Sequence, residues 1–488
     1  MLVIFIFLLF ITIHESKDGI NMKIYKDQIL TSSDTTETMR NLQYNKIYIN
    51  SRIGSNDKSI KLYLRFNEYI TYITDNYYKK EESNSYEFTR RKEGGNAEYI
   101  PNEFQTDDLN TGYESKDKLQ LDNNILKDFN FILVDKLKRE KEFYYPIIGL
   151  NLVKENNIRQ VLYKTNFLEQ LKSNNLIDNK IFSILYYNKE KNSQNEKGEI
   201  IFGKLPHELN EKEKFGKYKL EENNLFWDNA EIGDYNLRWK LKFERIKFGN
   251  QELSEISGLI AELIVEQNVF TGTWEFKNII HQKFFEELIN KKICKEEKFY
   301  NYRENFHYFF YSCDSSLKPE LSEKKYKENI LQFKSNSLNE IFSFNLEELF
   351  IEVGRTLYFS IIFDEYQMYG WKLGNIFFEK YPLVFSLDNK AIGYYNQNLE
   401  KMNKSSNKTI YFLIGLILLL LIILFIGFRR YNILKKLIPR KLMANELLDD
   451  YSYNSNNINN EDNNKNEIRT EMAYKNQISG NNESKLGV

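Results

Sequence analysis

Two segments with the same pattern constrain the fold of this chain most. One covers residues 62–70 and the other covers residues 263–272. In each, a run of apolar and β-branched or aromatic side chains ends in a short polar turn, which is typical of a β-strand entering a turn. A charged side chain opens the turn in both places, Arg65 in the first and Glu266 in the second.

Further blocks occur in a fixed order around these two turns. They are an opening strand with a glycine turn at 44–55, an Ile-Ile-Gly segment at 146–150, a helix, turn and strand at 167–186, a strand at 198–203, a strand pair at 239–249 and a closing segment at 371–394. The order resembles that of the pepsin-like aspartic peptidases, over most of residues 44–397. The resemblance implies an all-β, bilobal fold with a few short helices.

The resemblance also implies a division of the chain. We expect an N-terminal lobe over residues 44–203, a connection over 204–235 and a C-terminal lobe over 236–397. A short polar segment over 17–43 precedes the first lobe. It leaves little room for the longer basic prosegment that such enzymes usually carry.

In that family both turns carry an aspartate, and the two aspartates meet between the lobes. The matching positions here hold Arg65 and Glu266. Two carboxyl groups that share one proton are the minimum for the reaction, because one polarises the scissile carbonyl while the other accepts a proton from water. Arg65 is permanently charged and cannot accept that proton. We therefore expect no intact catalytic pair.

The rest of each turn departs from the family pattern too. The residues expected to line the cleft beside the two charged positions are Phe66, Asn67, Gln267 and Asn268. The two asparagines stand where the family has glycines, so their side chains occupy room that substrate backbone would need. One hypothesis is that Arg65 and Glu266 form an ion pair that joins the lobes. The alternative is that both side chains turn to solvent.

The two ends of the chain predict a membrane-anchored protein. Residues 1–16 begin with an apolar run of signal-peptide length, for which a buried strand is the alternative. Residues 410–428 are apolar or glycine, which as a helix span about 28 Å, close to the thickness of a bilayer core. Arg429 and Arg430 open the basic run that follows. The positive-inside rule then predicts a single-span type I protein whose lobes face the lumen or the outside.

Short polar regions flank the predicted span. The stalk over residues 398–409 contains two N-glycosylation acceptor patterns, at Asn403 and Asn407. The basic, asparagine-rich tail over 429–488 is predicted to be disordered and cytoplasmic.

The two cysteines of the chain are Cys294 and Cys313. An even pair in a secreted chain favours a disulfide, and the pepsin-like family has one at a comparable place. A free buried pair is the alternative.

Composition excludes some classes of function. The chain has 68 basic and 69 acidic residues, so its charge gives no reason to expect a nucleic acid partner. The four histidines lack metal-ligand spacing, and we expect no metal and no cofactor.

Three functions remain open. The first is an inactive, membrane-anchored homologue of aspartic endopeptidases that binds a peptide or protein in the cleft between its lobes. The second is an active endopeptidase with an altered acid pair, in which Glu266 survives. The third is a surface structural or recognition protein.

Overall fold

In a computed structural model of the protein, the described residues are 19–44, 46–88, 99–101, 111–136, 145–152, 164–187, 196–230, 238–253, 259–301, 306–323, 326–365, 370–398, 416, 418–419, 421–424, 426–427 and 429. The predicted signal peptide, both glycosylation acceptors, Asn403 and Asn407, and the tail beyond residue 429 lie outside these residues. So does much of the predicted membrane span. Among the described residues, no helix has the combination of length and apolar character that crossing a bilayer requires.

The described part of the chain is mainly β. Its strands are β1 (Ile20–Lys26), β2 (Ile47–Ile53), β3 (Lys58–Arg65), β4 (Tyr72–Thr74), β5 (Glu87–Phe88), β6 (Tyr99–Pro101), β7 (Thr111–Leu121), β8 (Asn124–Lys136), β9 (Ile147–Gly149), β10 (Ile181–Tyr186), β11 (Glu196–Phe202), β12 (Leu225–Asn229), β13 (Lys240–Lys242), β14 (Arg245–Phe248), β15 (Gln251–Glu252), β16 (Ile260–Leu263), β17 (Phe270–Gly272), β18 (Cys294–Asn301), β19 (Phe306–Asp314), β20 (Ile330–Ser335), β21 (Glu340–Asn345), β22 (Phe350–Val353), β23 (Thr356–Phe359), β24 (Ile361–Asp364), β25 (Trp371–Leu373), β26 (Leu383–Ser386) and β27 (Ala391–Tyr395).

Helices are short by comparison. They are α1 (Thr35–Gln43), α2 (Phe167–Ser173), α3 (Trp274–Ile280), α4 (Glu286–Asn290), α5 (Lys318–Leu321) and α6 (Asn375–Lys380), with a π-helical turn at His281–Phe285 and 3₁₀ turns at Lys80–Glu82, Pro206–Glu208, Lys212–Phe215, Glu222–Asn224, Ser315–Leu317 and Glu347–Leu349. The side chains of Asp34 and Asn166 accept backbone N–H groups at the starts of α1 and α2, which satisfies donors that a helix leaves open. The mainly β fold with a few short helices is confirmed.

Three sheets organise these strands. The first has 14 strands in the order β12-β27-β26-β10-β11-β1-β2-β3-β9-β4-β8-β7-β5, with β6 on β7. The second has 9 strands in the order β13-β16-β25-β17-β24-β19-β23-β22, with β18 on β19, and the third has 4 strands in the order β15-β14-β20-β21. The closing hairpin β26–β27 thus joins the sheet built from the first half of the chain. The predicted lobe boundaries stay a prediction.

Strand β3 shows why its sequence forms a half-buried strand. Leu62 and Leu64 are almost fully buried in the main core. The opposite face carries Lys61, which is exposed, Tyr63, which is buried in a second, smaller cluster, and Arg65, which is half-buried. This alternation matches the period of two that a strand requires, so the apolar residues fix which face of β3 meets the core.

Two glycines allow a crossing strand to pass closely behind each charged turn. Gly149 of β9 lies opposite Arg65 of β3, and a Cβ there would lie 2.6 Å from the Ile70 carbonyl oxygen. Gly374 follows β25, and a Cβ there would lie 2.2 Å from the Val269 carbonyl oxygen. The contact with backbone atoms leaves no room for a side chain at either position.

Cys294 and Cys313 face each other across the antiparallel pair β18–β19 and form a disulfide with an S–S distance of 2.02 Å. Both residues are buried. The predicted pairing is confirmed.

Replacing Gly374 by alanine should lower the free energy of unfolding by at least about 2 kcal/mol, because backbone atoms of the second turn must shift to admit the methyl group. Gly149→Ala should lower the free energy of unfolding in the same way, because backbone atoms of the first turn must shift. Gly216→Ala is the matched control, since the nearest atom to its Cβ lies 3.2 Å away. Urea unfolding of the full-length variants measures the difference. A Gly374→Ala variant as stable as the Gly216→Ala control would contradict this account.

Candidate functional site

The first charged turn begins where β3 ends and is fixed at both ends by the segment that follows β9. The Leu150 N–H donates to the Arg65 carbonyl over 2.8 Å, and the Asn151 N–H donates to the Glu68 carbonyl over 2.9 Å. Arg65, Asn67 and Glu68 are half-buried. The turn therefore holds its side chains on a backbone that is hydrogen-bonded on either side.

The second turn follows β16 and is fixed in the same way by the segment around Gly374. The Ile264 N–H donates to the Leu373 carbonyl over 3.0 Å, and the Asn375 N–H donates to the Gln267 carbonyl over 2.6 Å. Gln267 and Asn268 are buried, whereas Glu266 is half-buried. Each half of the chain thus presents one charged side chain from a turn that a crossing strand supports.

One hydrogen bond joins the two turns. The Phe66 N–H donates to Oε2 of Glu266 over 3.2 Å. Oε1 of Glu266 is buried and has no hydrogen-bond partner among the described residues. The structure therefore joins the two turns through Phe66 and Glu266, which lie 200 positions apart in the chain.

The hypothesis that Arg65 and Glu266 form an ion pair is not met by this geometry. The contacts of Glu266 within the described part of the chain contain no salt bridge to Arg65. The Phe66 amide binds the carboxylate instead, and Arg65 interacts with Glu266 electrostatically at longer range. The alternative, that both side chains turn to solvent, does not describe Glu266 either, because one of its oxygens is buried.

The Phe66 ring packs into the core. It makes edge-to-face contacts with Phe182, Phe378 and Phe385, at centroid distances of 5.3, 5.5 and 4.8 Å. Phe182 lies on β10 and Phe385 on β26, so the ring ties the first turn to the closing hairpin. Such contacts contribute about 0.5–1.5 kcal/mol each beyond burial. The ring anchors the turn, and its amide remains free to bind Glu266.

Sequence reasoning missed Glu68, which is a third charged residue of the site. The pKa of Glu68 is raised to about 8, mainly by burial; the charge of Glu266 adds to this shift, whereas Arg65 and Arg238 oppose it. Nη1 of Arg238 donates to both carboxylate oxygens of Glu262, over 2.8 and 2.9 Å. Glu68 lies three positions after Arg65, at the end of the same polar turn. This closeness in sequence is the signal that could have identified Glu68 as a residue of the site.

The pKa values of Glu266 and Arg65 are shifted as well. Burial raises the pKa of Glu266, although Arg65 and the backbone amides of Glu266 and Phe66 partly oppose it. Burial would lower the pKa of Arg65, but Tyr72, Glu266, Glu68 and Tyr44 outweigh that effect and raise it. Arg65 therefore stays charged at every accessible pH, while both glutamates favour the protonated form more than free glutamates do.

The N-terminal segment reaches this site. Gln43, the last residue of α1, accepts the Asn268 N–H on its backbone carbonyl over 3.0 Å. Lys26 of β1 donates to the Asn268 side chain over 2.5 Å and pairs with Glu379 over 2.9 Å. The short segment before β2 is thus an ordered strand and helix that contact the second turn.

Chemically, the site combines one permanent cation with two carboxyl groups of different surroundings. Glu266 has one oxygen bound by a backbone amide, and Glu68 retains its proton near neutral pH. The arrangement lacks the two equivalent carboxyl groups at residues 65 and 266 that would share one proton.

Comparison with known proteins assigns a family to these residues. The family model described as eukaryotic aspartyl protease matches residues 67–397. The match includes Glu266 and Glu68, and it begins two positions after Arg65. No curated protein matches the chain.

Glu68→Gln should flatten the dependence of stability on pH. A carboxyl group whose pKa is raised to about 8 in the folded state binds a proton that the unfolded chain releases above about pH 4.5. The wild type should therefore lose stability as pH rises from about 5 to about 8, by up to about 1.4 kcal/mol per pH unit. Urea unfolding at a series of pH values measures the slope.

Glu221 provides the control, since Glu221→Gln removes a solvent-exposed carboxyl group. It should leave the wild-type slope unchanged. Equal slopes in the wild type and in Glu68→Gln would show that Glu68 titrates as a solvated group.

Proposed function

Because the chain belongs to the eukaryotic aspartyl protease family, we propose that it is a membrane-anchored homologue that binds a peptide or protein between its lobes without hydrolysing it. The observation that carries this proposal is the cation of Arg65, which stands on the turn that is hydrogen-bonded to Glu266. A cation at that place removes one of the two acids that the family's reaction needs.

The chemistry of the reaction explains why one substitution is enough. A shared proton requires two carboxyl groups that cannot both be ionised at once, and an adjacent guanidinium favours the ionised form of its neighbour instead. Arg65 does lower the pKa of Glu266, against the larger effect of burial. The fold also orients Glu266, because its Oε2 accepts the Phe66 N–H.

The binding part of the proposal follows from what the fold retains. Two turns, each supported by a crossing strand and a glycine, still face each other through the bond from Phe66 to Glu266. Arg65, Asn67, Glu68 and Glu266 are half-buried, with Oδ1 of Asn67 and Oε1 of Glu266 buried and without a hydrogen-bond partner among the described residues. This geometry supports a site that recognises a chain and lacks the pair that would cut it.

Membrane anchoring is supported by the sequence. Residues 410–428 have the length and apolar character of a single span, a basic run follows them, and residues 1–16 have the pattern of a signal peptide. In this arrangement the lobes lie in the lumen of the secretory pathway or outside the cell. The two acceptor patterns at Asn403 and Asn407 are then on the side where glycosylation takes place.

A second candidate function is hydrolysis by a different acid pair. Burial, with a contribution from the charge of Glu266, raises the pKa of Glu68 to about 8, so Glu68 keeps its proton near neutral pH. Carboxyl groups whose surroundings separate their pKa values are typical of acid–base pairs. This observation favours Glu68 and Glu266 as the acids of an altered site, if the protein is active.

The full-length protein should not cleave a mixed peptide library between about pH 3 and about pH 8, because Arg65 cannot accept a proton. Mass spectrometry of the library detects cleavage, and a pepstatin-type inhibitor and the Glu266→Gln variant control for contaminating peptidases. Cleavage that is lost in both Glu68→Gln and Glu266→Gln would overturn the proposal in favour of the altered pair.

Arg65→Asp alone should remain inactive. Glu266 is one methylene longer than aspartate, and a misplacement of about 1 Å costs on the order of 10²-fold in rate. Phe66 and Asn67 also keep the turn unlike that of an active enzyme. The same library assay measures the result, and cleavage by this single variant would contradict the reasoning about the turns.

A further inference from the structure

Arg65 is a cation without a matched partner at the centre of the site. Within the described part of the chain, its guanidinium takes part in no hydrogen bond and no salt bridge, although Glu266, Glu68, Tyr72 and Tyr44 lie within electrostatic range. The residue is half-buried. A planar guanidinium that is partly removed from water and unpaired presents donors that suit a carboxylate in bidentate geometry.

The two neighbouring glutamates are poorly placed to neutralise Arg65. Oε2 of Glu266 accepts the Phe66 N–H, and Oε1 of Glu266 is buried without a partner. Glu68 is protonated near neutral pH, and the nearby Arg238 is already neutralised by Glu262. The guanidinium of Arg65 therefore keeps donors that no carboxylate of the described residues accepts.

Tyrosine rings and a lysine lie on the sheet face that carries Arg65. Tyr63, two positions before Arg65 on the same face of β3, is buried and packs at a tilted angle against Tyr48 and Tyr145, with centroid distances of 5.4 and 4.9 Å. Lys46 lies 3.4 Å from the centre of the Tyr145 ring. Aromatic ring faces attract cations, so the Tyr63 and Tyr145 rings hold the ammonium group of Lys46 on this face.

We infer that the cleft binds acidic peptide segments and that Arg65 holds the carboxylate of an aspartate or glutamate side chain of the ligand, an inference that rests on the proposed binding function. The peptide enters as an uncut ligand, with its carboxylate on the guanidinium of Arg65. Arg65 is thus a specificity-determining residue in a position that the family otherwise uses for chemistry.

Two peptide pools test this. Both pools consist of hexapeptides with an acetylated N-terminus and an amidated C-terminus. Five positions are random but exclude aspartate and glutamate. The sixth position is glutamate in one pool and glutamine in the other. Binding to the full-length protein in detergent is measured by affinity capture and mass spectrometry. The glutamate pool should be enriched about 10-fold or more over the glutamine pool, because a charge-assisted pair is lost in the latter.

Variants assign the preference to Arg65. Arg65→Met should abolish it, and Arg65→Lys should retain part of it, because lysine keeps the charge without the planar fork. Lys61→Met is the matched control, since Lys61 lies on the same face of β3 but pairs with Asp27 over 3.4 Å. It should leave the preference unchanged.

The pH dependence separates a direct role from a structural one. Glu68 ionises around pH 8, so the preference for glutamate peptides should weaken between about pH 7 and about pH 9, and Glu68→Gln should remove this weakening. The charged and titratable groups that face Arg65 are Glu266, Glu68, Tyr72 and Tyr44, and Glu262 and Arg238 lie beyond the glutamates.

The possible failures are distinguishable. Equal binding of both pools, or a preference for glutamate that survives in Arg65→Met, overturns the inference and leaves cleft binding intact. Failure of both pools to bind at any pH overturns the proposed binding function and this inference with it.

Discussion

The hydrogen bond from the Phe66 amide to the Glu266 carboxylate is the point at which the two halves of the site meet. It depends on a buried ring on one side, because Phe66 packs against Phe182, Phe378 and Phe385, and on a supported turn on the other. Gly149 and Gly374 allow the supporting strands to approach the backbone of each turn. Removal of any of these features would change how Arg65 and Glu266 face each other.

That bond also explains the electrostatics. A carboxylate that accepts a backbone amide is oriented by the fold and not by the nearest cation, so Arg65 and Glu266 lie close without pairing. Burial then raises the pKa of both glutamates, and the ionised Glu266 adds to the shift of Glu68. The family's site depends on two similar acids, whereas this site depends on one cation and two acids that differ. A site of this kind is suited to binding a charged group, which is the basis of the proposed function.

Much of the fold could be predicted from the sequence because its determinants are local. The alternation in β3, the glycines at 149 and 374 and the cysteine pair can each be recognised from short segments. The hydrogen-bond partner of Glu266 could not be predicted, because it is a backbone amide, which every residue except proline carries. Glu68 was missed since its pKa depends on the summed burial and charge of residues from both halves. The contact of Gln43 with Asn268 joins residues more than 200 positions apart, and no local pattern encodes it.

The central claim is that this site holds a peptide through Arg65 and leaves it intact. The most direct measurement is the mass spectrum of peptides recovered from the bound fraction after prolonged incubation with the full-length protein at mildly acidic pH. The account predicts uncut peptides that are enriched in glutamate and aspartate. Bound peptides cut at a defined bond, with no enrichment of acidic residues, would contradict it.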